Sequence, residues 1–472
     1  MKRFLPWKVL HLSISDHVPD LSAEDGIGGL FVVFWCDAVP LGQAMIPAPM
    51  LPIASAQLAA TAASIVAPVI GDRLLRNGFE APLPVPPRKQ PRHPPVDLKR
   101  LLDLDRPLES LSRPASLAAA APADPSVSLV ICTRNRPGHL AKCLRSLRGL
   151  SPQPSEIIVV DNDPSSGVTR PVTDDFHEVT YVAEPRRGLS AARNAGILRC
   201  RGAIIAFTDD DVIVHPGWIG AIRAAFCDSD VIAVTGLVLP AELATPAQFV
   251  FQDGAAGAGW EYRQVDFGRS FFDSMKSLGV PAWRLGAGAN MAFRCEAFER
   301  VGLFDERLGA GSSGCSEDSE LWYRLLAEGQ RCRYAPTAVV FHYHREDWAG
   351  LRDQLYSYTR GHVAALLFQF DRYGHWGNVY RAFVVLPWHL VRLAYRSGTS
   401  WLGARLSDNG GELRQPLVPQ LLGAVAGYGY YVRHRRRPPT PLSRGTTCTH
   451  AHAWNIDNED NPQKSPVHVP EP

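Results

Sequence analysis

Residues 203–211 read AIIAFTDDD, an apolar run that ends in three consecutive acidic residues. Similar short apolar runs precede it, namely VSLVIC (127–132), EIIVVD (156–161) and VTYVAE (179–184), and helical segments separate them. Buried strands with almost continuous apolar residues that alternate with helices are typical of a parallel sheet built from βαβ units. The sequence therefore predicts an α/β fold for the middle of the chain.

Polar side chains lie at the points where these predicted strands end. Because the strands of a parallel sheet run in one direction, their carboxyl ends meet at one edge, where such sheets bind ligands. The residues at these ends are Thr133, Arg134 and Asn135 after the first strand, Asp161 at the end of the second, and Asp209, Asp210 and Asp211 at the end of AIIAFTDDD. We therefore expect the binding site at this edge.

The three adjacent acids indicate a metal site. Neighbouring carboxylates at a partly buried strand end repel one another unless a cation neutralises their charge. Mg²⁺ usually takes one or two carboxylates together with substrate phosphates, so the motif predicts a divalent cation and a phosphate-bearing ligand. His342, at the end of a later apolar run, is a candidate third ligand. The alternative is a solvated acidic turn that caps the helix after Pro216.

Basic residues crowd the entrance of a predicted helix in EPRRGLSAARNAG (184–196). A helix N-terminus flanked by arginines suits a diphosphate, so Arg187, Arg193 and Asn194 are candidate ligand-binding residues. An ordinary arginine-rich helix surface is the alternative. Asp161 can accept a hydrogen bond from a base or a ribose hydroxyl, or else form an Asx turn.

A second acidic pair, Glu317 and Asp318, begins an amphipathic helix in GCSEDSELWYRLLAEG (314–329). Acids in the first turn of a helix are stabilised by its dipole, so helix capping alone can explain them. The Gly- and Ser-rich run before them would let an acceptor hydroxyl approach a carboxylate that acts as a general base. Both explanations stay open at this point.

Together these motifs resemble the inverting family 2 glycosyltransferases, whose catalytic domain has the GT-A fold. The resemblance covers residues 127–345 and follows the family's order, with the motifs VSLVICTRNRP, EIIVVDND, RRGLSAARNAG, TDDD, LGAGANMAFR and SEDSEL. It implies a Rossmann-like, mostly parallel sheet flanked by helices.

The resemblance also implies how a nucleotide-diphosphate sugar would bind. Asp161 would bind the base, and Asp209 and Asp210 would bind the ribose and the donor sugar. The other donor-binding residues would be Thr133, Arg134, Asn135, Arg187, Arg193, Asn194, Gly288 and Asn290. A UDP-sugar is the first expectation for the donor.

The metal and the base follow from the same resemblance. Asp211, together with Asp209 and His342, would hold Mn²⁺ or Mg²⁺. Asp318 would take the proton of the acceptor hydroxyl, and Glu317 would orient the acceptor or support Asp318. The sugar would be transferred with inversion of configuration, and the metal and Arg193 would neutralise the charge of the leaving group.

The family's processive members carry a QxxRW motif downstream of the acidic pair. Here the only similar string runs from Gln330 to Tyr334 and enters a predicted strand, so we expect a non-processive enzyme. The acceptor would be a glycan or a lipid-linked molecule in cell-surface polysaccharide or glycolipid assembly. Two other functions stay open: a non-catalytic module that binds nucleotide sugars or carbohydrate, and a nucleotidyltransferase of similar layering.

The flanking segments differ from this domain in composition. Residues 1–79 predict a small ββα module, and residues 80–125 a linker rich in proline and alanine. The glycosyltransferase domain would occupy 126–345, a helical extension 346–442, and a disordered tail 443–472.

Charge and cysteine usage bear on partners and location. With 49 Lys and Arg against 47 Asp and Glu, no overall field points to nucleic acid as a partner. The nine cysteines form no CxxC pair, which favours a reducing compartment, and we expect a cytoplasmic protein.

Two C-terminal stretches, 379–398 and 416–439, combine aliphatic residues with Trp, Tyr and Arg. This composition is typical of helices that lie on a membrane surface, and here that surface would be the cytoplasmic face. Helices that pack on the catalytic domain and leave a basic end exposed are the alternative. No stretch is long and apolar enough to predict a helix that spans the membrane.

Overall fold

The computed structural model of the protein describes residues 4–15, 18–74, 79–80, 125–254, 262–404 and 416–438. The predicted tail, and the predicted linker apart from its two end residues, lie outside this part of the chain. The described residues form the predicted α/β fold, in which helices flank a central, mostly parallel sheet and a helical region follows it.

In the described part of the N-terminal module there are three strands and one α-helix, whereas the sequence predicted only two strands. Strand β1 (Trp7–Ser13) pairs in parallel with β2 (Gly29–Cys36), which pairs antiparallel with β3 (Val39–Pro47). Helix α1 (Ser55–Leu74) packs against β3. The second predicted segment splits at Asp37, whose φ of 52° turns the chain back without the Asn-Gly or Asp-Gly pair that marks such turns.

The core of this module continues into the larger domain. Its buried residues pack with Leu237, Leu239 and Val339 of the central sheet. The backbone N–H of Trp7 also donates to the carbonyl of Leu243, at 2.9 Å. The boundary at residue 79 stays a prediction, but the module and the larger domain share one apolar contact surface.

Within the residues that the structure describes, the central sheet contains ten strands. They are β4 Phe79–Glu80, β5 Val127–Thr133, β6 Glu156–Asp161, β7 Val179–Ala183, β8 Ile204–Asp209, β9 Val212–Val214, β10 Val231–Pro240, β11 Val265–Phe267, β12 Asn290–Arg294 and β13 Arg331–His342. Their order is β4-β11-β13-β10-β12-β8-β5-β6-β7, and β9 pairs with β13. Strands β8, β5, β6 and β7 are parallel as predicted, whereas β12 runs antiparallel between β8 and β10.

Both faces of this sheet are buried, because alternate residues of a strand point to opposite sides. In β5, Leu129 and Ile131 pack with Leu140, while Val130 packs with Ala192 on the other face. The helices of this domain are α2 Pro137–Leu147, α3 Thr169–Asp174, α4 Leu189–Ile197, α5 Trp218–Ala225, α6 Pro246–Gly254, α7 Arg269–Met275, α8 Glu296–Val301 and α9 Glu317–Ala327. The near-continuous apolar runs of the sequence follow from this two-sided burial.

The C-terminal region consists of helices, as predicted. They are α10 Trp348–Tyr373, α11 Trp376–Tyr380, a π-helical turn Arg381–Val385, α12 Leu386–Ala404 and α13 Leu417–His434. Among the described residues, no helix is both long and apolar enough to cross a membrane. Helix α10 lies against the loop before α9, and Gly361 of α10 permits the contact, since a Cβ there would lie 2.5 Å from the carbonyl oxygen of Cys315.

We expect Gly361→Ala to destabilise the protein by about 1–3 kcal/mol, because the added methyl group must displace backbone. The matched control is Gly429→Ala in α13, where a Cβ would meet nothing within 4 Å. That change should stabilise the protein by about 0.5–1 kcal/mol, since alanine favours the helix. Urea unfolding followed by circular dichroism measures both, and the same sign for the two variants would contradict the close approach of α10 to Cys315.

Candidate functional site

The strand ends that carry the predicted residues meet at one edge of the sheet. Thr133 at the end of β5 pairs in register with Asp161 at the end of β6. On the other side of β5, Cys132 pairs with Asp209 at the end of β8. The parallel register therefore gathers residues that are up to about eighty positions apart in sequence.

Asp209, Asp211 and His342 form a potential cation site. One ligand atom from each of the three lies within 4.8 Å of those of the other two. His342 ends β13, and its Nε2 is 3.3 Å from a carboxylate oxygen of Asp211. This is the set of residues that the sequence predicted as metal ligands.

Asp210 lies between these acids in sequence but has different partners. Its carboxylate accepts a hydrogen bond from the Thr133 hydroxyl at 2.7 Å and one from Arg136 at 3.1 Å. Burial, together with the neighbouring charge of Asp211, raises the pKa of Asp210 to about 6. Thr133 therefore orients the carboxylate of Asp210, which lies against the end of β5.

Two arginines that the sequence analysis missed neutralise Asp211. Arg136 donates to its carboxylate at 3.0 Å, and Arg345 lies 3.6 Å away. Burial alone would raise the pKa of Asp211, but His342 and these arginines hold it well below its usual range. Arg136 lies in the same TRNRP loop as Arg134, so its position after β5 was a signal that could have identified it.

The guanidinium of Arg193 connects the two acidic clusters. It donates to Glu317 at 2.6 Å and to Asp209 at 3.4 Å, and it also reaches the carbonyl of Gly288 at 3.4 Å. Arg193 is 2% exposed and Glu317 is 5% exposed. Burial raises the pKa of Glu317 to about 7, although Arg193 opposes the shift.

Asp318, the predicted general base, lies next to this bridge. It is half-buried, and one of its carboxylate oxygens accepts hydrogen bonds from the backbone N–H of Ser319 at 2.6 Å and from its hydroxyl at 3.0 Å. A Cβ at Gly288 would lie 3.1 Å from the other oxygen and 2.9 Å from Arg193. Because Gly288 has no side chain, it leaves room for those of Asp318 and Arg193.

Asp161 forms the Asx turn that the sequence left as an alternative. Its carboxylate accepts from the backbone N–H of Asp163 at 3.0 Å and from the Tyr181 hydroxyl at 2.9 Å. Burial, followed by this hydrogen bond to the carboxylate, raises the pKa of Tyr181 to about 12. Arg134 and Asn135 do not reach Asp161; both bind Asp163, at 3.2 and 2.9 Å.

Two predicted donor-binding amides are instead used inside the protein. Asn194 exchanges hydrogen bonds with the backbone of Phe304, at 3.0 and 2.9 Å. Asn290 donates to the carbonyls of Leu237 and Ala338 and accepts from the indole of Trp218. Through these bonds both amides hold the strands and loops that carry the candidate site, and their contact with a donor stays a prediction. Arg187, in contrast, is exposed at the entrance of α4.

Asn162 is a further residue that the sequence analysis did not select. Its side chain accepts from the N–H of Gly188 at 2.8 Å and donates to the carbonyls of Glu184 and Arg186. These bonds fix the turn in which Gly188 has a φ of 142°, at the start of α4. Asn162 therefore positions the helix that carries Arg193.

A buried chain of polar groups lies behind His342. Its Nδ1 is 3.1 Å from Nδ1 of His344, whose Nε2 is 3.0 Å from the amide oxygen of Gln252. Because an amide oxygen only accepts, His344 donates to it and accepts from His342. The Nδ1 proton of His342 is thus committed to His344, and its Nε2 faces Asp211. Burial lowers the pKa of His342, but the Asp211 carboxylate outweighs burial and raises that pKa above its usual range. A bound cation would replace the Nε2 proton.

Comparison with known proteins agrees with these motifs. A family model described as glycosyl transferase family 2 matches residues 128–302. The chain is 31% identical over 237 residues to the pre-mycofactocin glycosyltransferase of Mycobacterium tuberculosis (strain CDC 1551 / Oshkosh), a match that covers 48% of this chain and 45% of the relative. It is 28% identical over 269 residues to the validoxylamine A glucosyltransferase of Streptomyces hygroscopicus subsp. limoneus, covering 53% and 56%. The chain spans about half the length of these relatives.

Among solved structures, the chain is similar to the mannosyltransferase PcManGT from Pyrobaculum calidifontis, determined in complex with GDP-Man and Mn²⁺. The TM-score is 0.43 at 19% identity, and the match covers 69% of this chain and 92% of the other. Residues 128–302 are similar in sequence to glycosyl transferase family 2.

Proposed function

We propose that this protein transfers a sugar from a nucleotide-diphosphate sugar to an acceptor hydroxyl, with a divalent cation and with inversion of configuration. One observation carries the proposal beyond the family match. Arg193 bridges Asp209, at the end of β8, and Glu317, at the start of α9. Asp318, the candidate base, follows Glu317 directly. The cation site and the candidate base therefore belong to a single cluster, as a direct displacement requires.

The side chains of the potential cation site suit a hard or borderline divalent cation. Two carboxylates fit Mg²⁺ or Mn²⁺, and the imidazole of His342 favours the transition metal Mn²⁺. Asp209, Asp211 and His342 would hold the ion, which would neutralise charge on the leaving diphosphate. Asp161, held by Tyr181, would contact the base, with a UDP-sugar as the first donor to test.

Asp318 is the general base of the proposed reaction. One of its oxygens is fixed by Ser319, while the other lies beside Gly288 and accepts no hydrogen bond from the described residues. That oxygen would take the acceptor proton as the hydroxyl attacks the anomeric carbon. Arg193 would balance the acids around the site and would not contact the leaving group directly, because its guanidinium is fully buried among them.

The acceptor would be a glycan or a lipid-linked molecule, with one sugar added at each encounter. A lipid-linked acceptor would bring the enzyme to the cytoplasmic face of a membrane. The deciding experiment incubates the purified protein with Mn²⁺ and a panel of nucleotide sugars. Slow hydrolysis of one donor would support the transferase, whereas sugar binding without turnover would indicate a binding module. Pyrophosphate exchange with a nucleoside triphosphate would indicate a nucleotidyltransferase.

We expect Asp318→Asn to lower kcat by about 10² to 10⁴, the usual contribution of general-base catalysis, with donor affinity within a few-fold of the wild type. Glu317→Gln is the comparison: it should lower the stability of the protein, because Arg193 loses a buried partner, and lower kcat less. Steady-state kinetics and calorimetry measure these quantities. If Glu317→Gln were inactive and Asp318→Asn nearly normal, Glu317 and not Asp318 would be the general base.

Asp211→Asn should abolish Mn²⁺-dependent binding of the nucleotide diphosphate, because it removes the ligand between His342 and Arg136. It should also destabilise the metal-free protein, since Asp211 balances Arg136, His342 and Arg345 in a buried site. Asp353→Asn, a change at an exposed carboxylate of α10, is the control. Isothermal calorimetry gives the affinities. Unchanged metal-dependent binding would show that Asp211 does not bind the cation.

In the presence of a chelator, the free energy of unfolding should fall as the pH rises from about 5 to 8. Asp210 and Glu317 have raised pKa values of about 6 and about 7, so the native state keeps protons that the unfolded chain has released. From pH 5 upward, stability is lost over about one pH unit for Asp210 and about two for Glu317, so the expected loss is on the order of 4 kcal/mol. Asp210→Asn should remove the part of the loss near pH 6, and saturating Mn²⁺ should restore stability at pH 8. A flat profile would contradict both shifts.

A further inference from the structure

Helix α13 presents an apolar stripe to its surroundings. Its exposed large apolar residues recur at helical spacing on one side and are Val418, Leu421, Leu422, Val425 and Val432. Leu422 is 59% exposed and Val425 is 71% exposed. Side chains three, four and seven positions apart share one face of a helix, so these residues form a continuous strip.

The opposite face of α13 is used for packing. Gly423 and Gly427 are buried against α10, where a Cβ would lie 2.4 Å from the carbonyl oxygen of Tyr356 and 2.7 Å from that of Arg360. Because these two glycines bring the helix backbones together, the helix cannot rotate its aliphatic strip inward. The exposure of the strip is fixed by the fold.

The neighbouring segment presents a second strip of the same kind. Val384, Trp388 and Val391 are exposed on the π-helical turn and α12, again four and three positions apart. Phe383 stacks on Tyr428 of α13 with ring centroids 4.8 Å apart, which joins the two strips. An apolar groove of about 290 Å³, lined by Phe370, Trp376, Phe383 and Val432 among others, opens beside them. We call these two strips together the apolar face.

Basic residues border the apolar face. Arg433, Arg435, Arg436 and Arg437 are exposed at the end of α13. No acidic residue occurs among the described residues from 376 to 438, and Asp408 and Glu412 lie in the interval 405–415 that is not described. Asp371 of α10 lies beside α13, where its carboxylate accepts from the Tyr431 hydroxyl at 2.7 Å. The four arginines therefore leave the border of the apolar face with an excess of positive charge.

We propose that the apolar face of α12 and α13 docks on an anionic lipid bilayer, with the arginines at phosphate level and the aliphatic and aromatic side chains in the headgroup boundary. Shallow insertion fits this surface, because the helices are too short or too polar to span. A second copy of the chain would bring the same arginines to the interface, whereas the bilayer supplies the opposite charge. This proposal does not depend on the sugar transfer proposed above.

Co-sedimentation tests the proposal with vesicles of phosphatidylcholine, with and without phosphatidylglycerol. The wild-type chain should bind the anionic vesicles, and added salt should weaken the binding. The double variant Leu422→Glu with Val425→Glu should reduce binding by about tenfold or more, because two carboxylates replace apolar side chains in the contact. Arg436→Gln with Arg437→Gln should reduce binding to the anionic vesicles on the order of tenfold.

Met50→Glu is the matched control, since Met50 is 60% exposed and lies on the N-terminal module. It should bind vesicles like the wild type, and all variants should keep the wild-type melting temperature. No binding by the wild-type chain, or equal loss in Met50→Glu, would overturn the proposal. So would a wild-type dimer in sedimentation velocity that Leu422→Glu with Val425→Glu converts to a monomer while vesicle binding stays unchanged.

Discussion

Asp209 and Glu317 come from distant parts of the chain, and a buried carboxylate is costly unless a cation pairs with it. The guanidinium of Arg193 supplies that cation at 3.4 and 2.6 Å. Because its planar fork can reach two carboxylates and the Gly288 carbonyl at once, it holds the end of β8 and the start of α9 together. The proposed base, Asp318, follows Glu317 directly, so its position depends on this bridge. Losing the cation would leave the buried Glu317 and the partly exposed Asp209 without this partner and would separate the two halves of the site.

Side-chain amides maintain the geometry around that bridge. Asn162 fixes the turn before α4, Asn194 holds the loop at Phe304, and Asn290 ties β12 to the bulged pairing of β10 and β13. Each of these amides is buried and fully hydrogen-bonded, which makes its conformation unique and its substitution expensive. The acids therefore project from a scaffold whose positions are set by buried hydrogen bonds, as a preorganised electrostatic site requires.

Local pattern was enough to predict the strands that carry the site and most of its acids. The run EIIVVD occupies β6 residue for residue, and Asp209, Asp211 and His342 converge as expected. The internal partners of the amides could not be predicted, because they are backbone groups far away in sequence, such as Phe304 for Asn194, and no spacing rule reports such contacts. Arg345 was missed because its role depends on Asp211, which only the folded sheet brings to it, whereas the place of Arg136 in the loop after β5 could have identified it. The third N-terminal strand was missed because Asp37 turns the chain without the usual turn residues.

The helical extension packs directly between the apolar face and the edge of the sheet that carries the candidate site. Helix α13 rests on α10 through Gly423 and Gly427, and α10 touches the backbone of Cys315 at Gly361. Arg360 of α10 donates to the carbonyl of Ser312, so α10 also binds the Gly- and Ser-rich loop that precedes α9. Close-packed contacts of this kind transmit position with little slack. A protein that docks through α12 and α13 would therefore hold Asp318 and the loop that precedes α9 at a fixed orientation to the bilayer. That arrangement suits an acceptor hydroxyl presented from the membrane surface, and it gives the extension a reason to pack on this loop.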